Sequence, residues 1–285
     1  MFFDLMTRLS QLALPVFIFL TMANIGLTQH PRKILEHWRN WPFLLKMLAA
    51  NFIAAPGIMY LLLQIWPLEP QFMAGLFVYS MCAGAPFLIK LTATSEHDMA
   101  LGAATMLLLV LGTIVIAPVA LPAILSRLEV DGGAMAWTLV RQLLLPIVGG
   151  ALVAHFAPDF TKRIQPWVAK IGNIALYVVI GATLLGYLPQ MGPIVRSGAL
   201  LLGLAFVLAA FGIGYLAGWG SDVLEDIGGL ATAQRNTAAA MLIAVSSFSD
   251  PTVFVLITLV NTIGIAVLLG VARFLKRDNA RPAAA

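Results

Sequence analysis

The chain has 285 residues, of which 60% are hydrophobic and only 11% charged, with a mean hydropathy of +0.93. A soluble domain is about half apolar and about a quarter charged, so this composition excludes a water-soluble globule. The net charge of +4 sits mostly in connecting and terminal segments and reports topology rather than a nucleic-acid partner. The one cysteine, Cys82, has neither a disulfide partner nor a companion for a thiolate metal site, which leaves packing as its role.

In chain order, Met1 to Ser10 carries Asp4 and Arg8 without a basic leader or a small-residue cleavage site, and is not read as a cleaved signal. Nine apolar runs then have the length of a membrane-spanning helix: residues 10–28, 42–66, 71–94, 99–123, 137–156, 171–189, 198–218, 227–248 and 252–274. An odd count puts the termini on opposite sides. It also puts Arg32, Lys33 and Arg39, then Lys162, Arg163 and Lys170, then Arg273, Lys276, Arg277 and Arg281 on one side. Only Arg8, Arg127, Arg196 and Arg141 oppose them. The positive-inside rule therefore predicts N-out and C-in. Trp41, Trp66, Trp137 and Trp167 fall near predicted ends, where an indole favours the interface.

Helix breakers interrupt the apolar runs at Pro15, Pro56, Pro86, Pro118, Pro122 and Pro146, and at the pairs Gly149-Gly150 and Gly228-Gly229. Two runs combine a breaker with polar residues at membrane depth. The third has Gly84-Ala85-Pro86 before Lys90, Thr92, Thr94 and Ser95. The eighth has Gly228-Gly229 before Thr232, Gln234, Arg235, Asn236 and Thr237. In lipid a broken helix survives only where protein or a water-filled cavity satisfies its backbone. Interrupted spans at matching places in two halves of a chain point to a transporter site between inverted repeats.

From Gly214-Tyr215 through Gly229-Leu230-Ala231-Thr232-Ala233-Gln234-Arg235-Asn236-Thr237-Ala238-Ala239-Ala240 to Phe248-Ser249-Asp250-Pro251, the chain resembles the bile acid:sodium symporter family. The region from Met22 to Leu27, Asn51 and Pro56, and Gly75 through Gly84-Ala85-Pro86 are similar to that family in the same order. The resemblance implies an all-α polytopic fold of inverted repeats with two crossing broken helices, a core and a panel domain, and nine transmembrane helices with one helix missing from the first repeat. Residues 1–125 would form that truncated four-span repeat. Residues 137–285 would form the five-span second repeat and a basic tail.

The resemblance further implies uptake of an organic anion driven by sodium, held by a Ser-Asn pair, two hydroxyls, a Glu and a Gln. In an ungapped reading those places fall on Leu88 and Ile89, Gly102 and Met106, Ala231 and Arg235; Asn236 alone keeps its family identity. Two cations, Lys90 and Arg235, instead stand at the two interruptions. An isolated cation at the bilayer centre costs about 2.5–3.5 kcal/mol, so each is expected to face protein, water or an anion. The expectation is that they hold the crossing helices and favour an anionic substrate without sodium. No cofactor is expected, and whether sodium binds stays open. A lysine can lose its proton when desolvated, so proton coupling through Lys90 is also open, as is snorkelling of Lys90 and a purely structural Arg235.

The candidate site is Lys90, Thr92, Thr232, Gln234, Arg235, Asn236 and Asn51. Lys46 reads as an interfacial residue, and Ser95-Glu96-His97-Asp98 as a solvated turn that caps the fourth span. Asp222, Glu225 and Asp226 read as loop or helix-start charge. Gln142, Asn173 and Asn261-Thr262 read as interhelical hydrogen-bond partners. His30, His37, His97 and His155 lie scattered with no nucleophile or second ligand cluster, which argues against an enzyme. The expected function is a secondary transporter of a small or amphipathic organic anion in a bacterial inner membrane, with the lipid bilayer and that anion as partners and no obligate protein partner. Alternatives are sodium- or proton-coupled symport or antiport on the same fold, or a non-transporting sensor.

Overall fold

The computed structural model describes residues 2–29, 31–125 and 130–279, whose regular structure is all helix, without strands. The elements are α1 (Phe2–Thr28), α2 (Pro31–Trp38), α3 (Trp41–Ile65), α4 (Pro70–Met81), α5 (Leu88–Thr94), α6 (Met99–Ile124) and α7 (Gly132–Phe156). The second half holds α8 (Pro158–Gly186), α9 (Leu188–Arg196), α10 (Ala199–Ala217), α11 (Asp222–Ala233), α12 (Thr237–Ser247) and α13 (Pro251–Asn279). Arg127, Arg281 and His30 lie outside the described residues, as do the side chains of Arg32, Lys33 and Arg277.

Seven of these helices are long and apolar enough to cross a membrane: α1, α3, α6, α7, α8, α10 and α13. The sequence led to nine runs; the third and eighth are each split into two short helices, α4 with α5 and α11 with α12, so neither forms one uninterrupted span. The bundle shows the bilayer a wide apolar surface, with Ile65, Phe156, Val119, Ile53 and Leu12 all more than 70% exposed, far more than a soluble monomer tolerates. Trp41, Trp66 and Trp137 face outward at or near helix ends, as expected, whereas Trp167, also outward-facing, stands nine residues inside α8 because that helix begins at Pro158, well before the predicted start at 171.

Local chemistry explains the boundaries. Pro70, Pro158 and Pro251 open α4, α8 and α13, where the missing N–H has no intrahelical partner to lose. Asp98 caps α6 by accepting from Ala100 N at 2.8 Å, and Asp131 caps α7 by accepting from Gly133 N at 2.8 Å. Pro56 and Pro146 do not break α3 and α7. Each is preceded by a wide π-turn, Ala50–Ala54 and Val140–Leu144, that absorbs the lost hydrogen bond.

The pair Gly228-Gly229 is not the eighth run's interruption: both glycines lie inside α11, and the chain breaks at Gln234–Asn236. The glycines serve close packing on α10. A Cβ at Gly228 would stand 2.3 Å from the Gly214 carbonyl oxygen, and one at Gly229 would stand 2.7 Å from the Phe211 ring. Small residues of this kind let membrane helices approach backbone to backbone.

Two groups of helices result. α1 packs on α8 and α7, while α10 packs on α11, and α13 packs on α4, α12, α10 and α5. Gln165 Nε2 donates to Asn24 Oδ1 at 2.9 Å, joining the start of α8 to the end of α1. Lys276 meets Glu96 at 2.7 Å and His37 meets Asp98 at 3.3 Å. These contacts gather the basic segments after α1, at the start of α8 and at the end of α13 at one end of the molecule.

Candidate functional site

The two interruptions touch. Residues 82–87 are extended or turning, and Gly84 takes a φ of 80°, a left-handed conformation open to glycine. The stretch is held from α6 by Thr113, whose Oγ1 accepts from Ala83 N at 2.8 Å and donates to Ala83 O at 3.0 Å. Across from it, Asn236 N donates to Cys82 O at 2.9 Å and Asn236 Nδ2 donates to Gly84 O at 3.1 Å. The Asn236 side-chain oxygen accepts from Ala239 N at 3.1 Å and so caps α12. One asparagine thus serves both broken elements.

Arg235 precedes it and is wholly buried. Its Nη1 donates to Asn51 Oδ1 at 2.7 Å, and its guanidinium lies 5.3 Å from the centre of the Phe206 ring. Nε and Nη2 are buried with no hydrogen-bond partner among the described residues. Asn51 projects from the π-turn of α3 and also donates to Thr232 Oγ1 at 3.0 Å and to Met47 O at 2.9 Å. The cation is therefore fixed by α3 and faced by α10, with an aromatic face taking part of its charge.

A cavity of about 270 Å³ opens beside the interruptions, between the two helix groups. α1 gives Thr21 and Asn24, α8 gives Asn173 and Tyr177, the first interruption gives Ala85 to Phe87, and α13 gives Asn261. Lys90 lines it with its chain exposed and its ammonium 5.4 Å from the Phe87 ring centre. Gln234, Arg235 and Thr237 complete the wall, and no carboxylate is among the lining residues.

The seven sequence candidates thus separate into three roles. Lys90, Gln234 and Arg235 line the cavity, whereas Asn51, Thr232 and Asn236 fasten the interruptions from behind. Thr92 belongs to neither: it is buried, donates to Leu88 O at 2.9 Å within its own helix, and packs on Gly102. Asn24, Thr21, Tyr177 and Thr237 were missed, and Asn173 and Asn261 were read as structural. Their signal was a polar residue inside an apolar run, and only the fold shows which of these face one space. Asn261 does accept from Gln234 Nε2 at 3.4 Å, as expected of an interhelical partner.

Asp222, Glu225 and Asp226 are helix-start charge, as one of the two readings had it, but Asp226 is buried and lies 2.7 Å from His97 Nε2. The turn at residues 95–98 is accordingly only part solvated, with Ser95 buried and Asp98 capping α6 as expected. Cys82 is free and buried, as its packing role required.

Asn236 apart, the side chains at the positions that the resemblance gives to sodium bring no oxygen to them. Leu88, Met106 and Ala231 are buried and offer no side-chain oxygen, Gly102 is filled against Thr92, and Arg235 brings its own positive charge. Among the described residues no cluster of His, Cys, Asp or Glu suits another metal.

A helical bundle with an apolar girdle, interrupted helices and a cavity into which several polar side chains converge has the make-up of a multi-pass membrane transporter. The sequence profile of the Sodium Bile acid symporter family matches residues 15–191, and the chain belongs to that family. The match ends before α10, so the residues 229–240 that carry the resemblance most specifically lie beyond it. A rice protein described as a probable chloroplastic sodium/metabolite cotransporter, BASS2, is 25% identical over 241 residues, covering 82% of this chain and 57% of its own length. The rice BASS3 protein is 28% identical over 171 residues, covering 58% of this chain and 40% of its own. An Arabidopsis thaliana protein, BASS5, is 22% identical over 245 residues, covering 81% and 60%. The chain thus spans about half the length of these relatives.

Proposed function

We propose that this chain is a secondary transporter that moves a small organic anion by alternating access and uses the Arg235 guanidinium where its family uses a bound cation. The observation that carries the reading is Arg235 itself: wholly buried at the second interruption, clamped by Asn51 and stacked toward Phe206. A permanently charged group in that place supplies the positive charge that holds the crossing and needs no sodium. The cavity beside it supports an anionic substrate, with Lys90 in its wall, no carboxylate, and the N-terminal residues of α12, Thr237 and Ala238, adding the positive end of a helix dipole. At about 270 Å³ the space suits a small anion better than an amphipathic steroid acid.

On this reading α4–α5 and α11–α12 are the crossing broken spans, which brings the span count to nine, in repeats at residues 1–125 and 137–285. α1, α7 and α8 form the panel and the remaining spans the core; the cavity between the two groups supports that division. The basic segments gathered at one end support an N-out, C-in orientation in a bacterial inner membrane. Lys90, Gln234 and Arg235 bound the substrate, while Asn51, Thr232 and Asn236 position the interruptions. Sodium-coupled transport is the second reading, favoured by the relatives' description as sodium/metabolite cotransporters.

The test is uptake of labelled acetate, lactate, succinate, citrate and taurocholate into liposomes holding the purified chain, under sodium, choline and imposed pH gradients. Uptake of a small anion that persists in choline is the expected result. Strict sodium dependence overturns the role given to Arg235, and no uptake of any of these under any gradient favours the non-transporting sensor.

A further inference from the structure

His97 and Asp226 stand outside both the cavity and the Arg235 network, yet they are among the most enclosed charged side chains of the molecule, 6% and 7% exposed at a separation of 2.7 Å. Their place in the fold gives the contact a mechanical meaning. α5 runs from the first interruption to the turn that carries His97, and the stretch Asp226–Ala233 of α11 runs back to the second interruption. At 1.5 Å per residue these are rods of about 10 and 12 Å, packed side by side. At one end they are tied by Asn236 to Cys82 and Gly84, and at the other by His97 to Asp226. Two short helical stretches of similar length, joined at both ends, form a closed frame that connects the two halves of the chain.

We infer that His97 and Asp226 form a proton-binding site which holds this frame shut while the imidazole is charged and releases one end when the proton leaves. The inference rests on the proposed function in one respect: a proton supplies the exchangeable coupling ion that Arg235, which stays charged, does not. Histidine is the side chain whose charge changes between about pH 5 and 8. With the proton, the contact is an ion pair as well as a hydrogen bond, the positive imidazolium offsetting the buried negative charge of Asp226. Without it, Asp226 is a buried carboxylate facing a neutral partner, an arrangement that burial penalises. The step is a proton transfer alone: the imidazolium N–H bond breaks, its electron pair stays on nitrogen, and the proton passes to water at the basic end.

Among the described residues the neighbouring charges are engaged or turned outward. Glu96 and Asp98, which flank His97, meet Lys276 at 2.7 Å and His37 at 3.3 Å. On α11 Glu225 accepts from Gly220 N at 3.0 Å and Asp222 is exposed. α10 contributes Tyr215 beside Glu225, α3 contributes exposed Lys46, α13 contributes exposed Arg273, and α6 has no titratable side chain. Among the described residues, His97 and Asp226 are thus the pair whose change of charge falls on the frame itself.

Cys82, the only thiol of the chain, is fully buried at the far end of the frame and reports its opening. The full chain in liposomes is labelled with a small membrane-permeant maleimide from about pH 5.5 to 8.5. Each rate is divided by that of the SDS-unfolded chain at the same pH, which removes the thiol's own ionisation. The normalised rate is expected to rise by about fivefold or more with pH as the frame opens locally, and H97Q, D226N and the H97Q/D226N double replacement are expected to be flat. A flat wild-type profile, or H97Q with the wild-type rise, overturns the site; the wild-type curve decides even where a variant fails to fold. Uptake of the five anions named above separates this inference from the transport reading. A rising Cys82 profile with no uptake sinks only the transport reading. Sodium-independent uptake that ignores pH, with a flat profile, sinks only the proton site.

Discussion

The interruption at residues 82–87 is built from its own residues, with Gly84 at positive φ and Pro86 two places on, whereas the one at 234–236 contains neither glycine nor proline and is held open by what surrounds it. There Asn236 trades its place in a helix for bonds to Cys82 and Gly84 and for the cap of α12. Arg235 is drawn out toward Asn51 on α3. One break is local and the other is tertiary. The first imposes its shape and presents carbonyls; the second exists because those carbonyls are there to receive it.

Gly84→Ala removes the local cause of the first break and has the largest expected effect. A left-handed alanine costs about 1–2 kcal/mol, and its Cβ would stand 2.3 Å from Val110 N and 2.6 Å from Met106 O, backbone atoms that cannot swing aside. Overpacking of that kind adds about 1–3 kcal/mol. The expected outcome is loss of most folded protein by gel filtration in detergent. A wild-type elution profile and melting curve would show that the first break is not set by Gly84.

Next in size is Asn236→Ala, which removes the cap of α12, worth about 1 kcal/mol, and the bond to Gly84 O, worth about 0.6–1.7 kcal/mol among membrane helices. A melting temperature in detergent well below wild type is expected. Asn236→Asp keeps the cap but cannot donate to Gly84 O, so it should recover only part of the loss. Full recovery would mean that the contact between the breaks contributes nothing. Thr113→Val tests the other side: it leaves Ala83 N and O without their partner at nearly constant volume. A loss of about 1–2 kcal/mol is expected, smaller than that of Asn236→Ala because Gly84 and Pro86 still shape the segment.

The same contrast explains what was legible in the sequence. Gly84-Ala85-Pro86 announced its break because the cause lies in the residues themselves. The second break was sought at Gly228-Gly229, six residues too early, because glycine has two uses. There it lets α10 and α11 approach, as the 2.1 Å between a Gly214 Cβ and the Gly228 carbonyl oxygen shows. The seven long helices followed from hydropathy alone, and Trp41, Trp66 and Trp137 marked their margins, whereas Trp167 did not because α8 starts nine residues before it. Contacts over long separations did not: Arg235 meets Asn51 across 184 positions and His97 meets Asp226 across 129. Nothing local marks Asn24, Asn173 and Asn261 as walls of one cavity, because three asparagines on three helices become a site only once the helix groups face each other.

The smallest expected change in stability, and the one that divides the second break most finely, is Gln234→Ala. Gln234 is as buried as its neighbours, but its bonds to Arg235 O and Asn261 Oδ1 are long, 3.3 and 3.4 Å. Long, poorly placed bonds between membrane helices contribute little, on the order of 0.6 kcal/mol, so the melting temperature should scarcely move. If Asn236 and Arg235 make the break and Gln234 only borders the cavity, the variant folds normally yet takes up anion with a raised KM and a largely unchanged maximal rate. A large fall in melting temperature would instead make Gln234 part of the scaffold that keeps residues 234–236 out of the helix, and the division between wall and frame at this break would have to be redrawn.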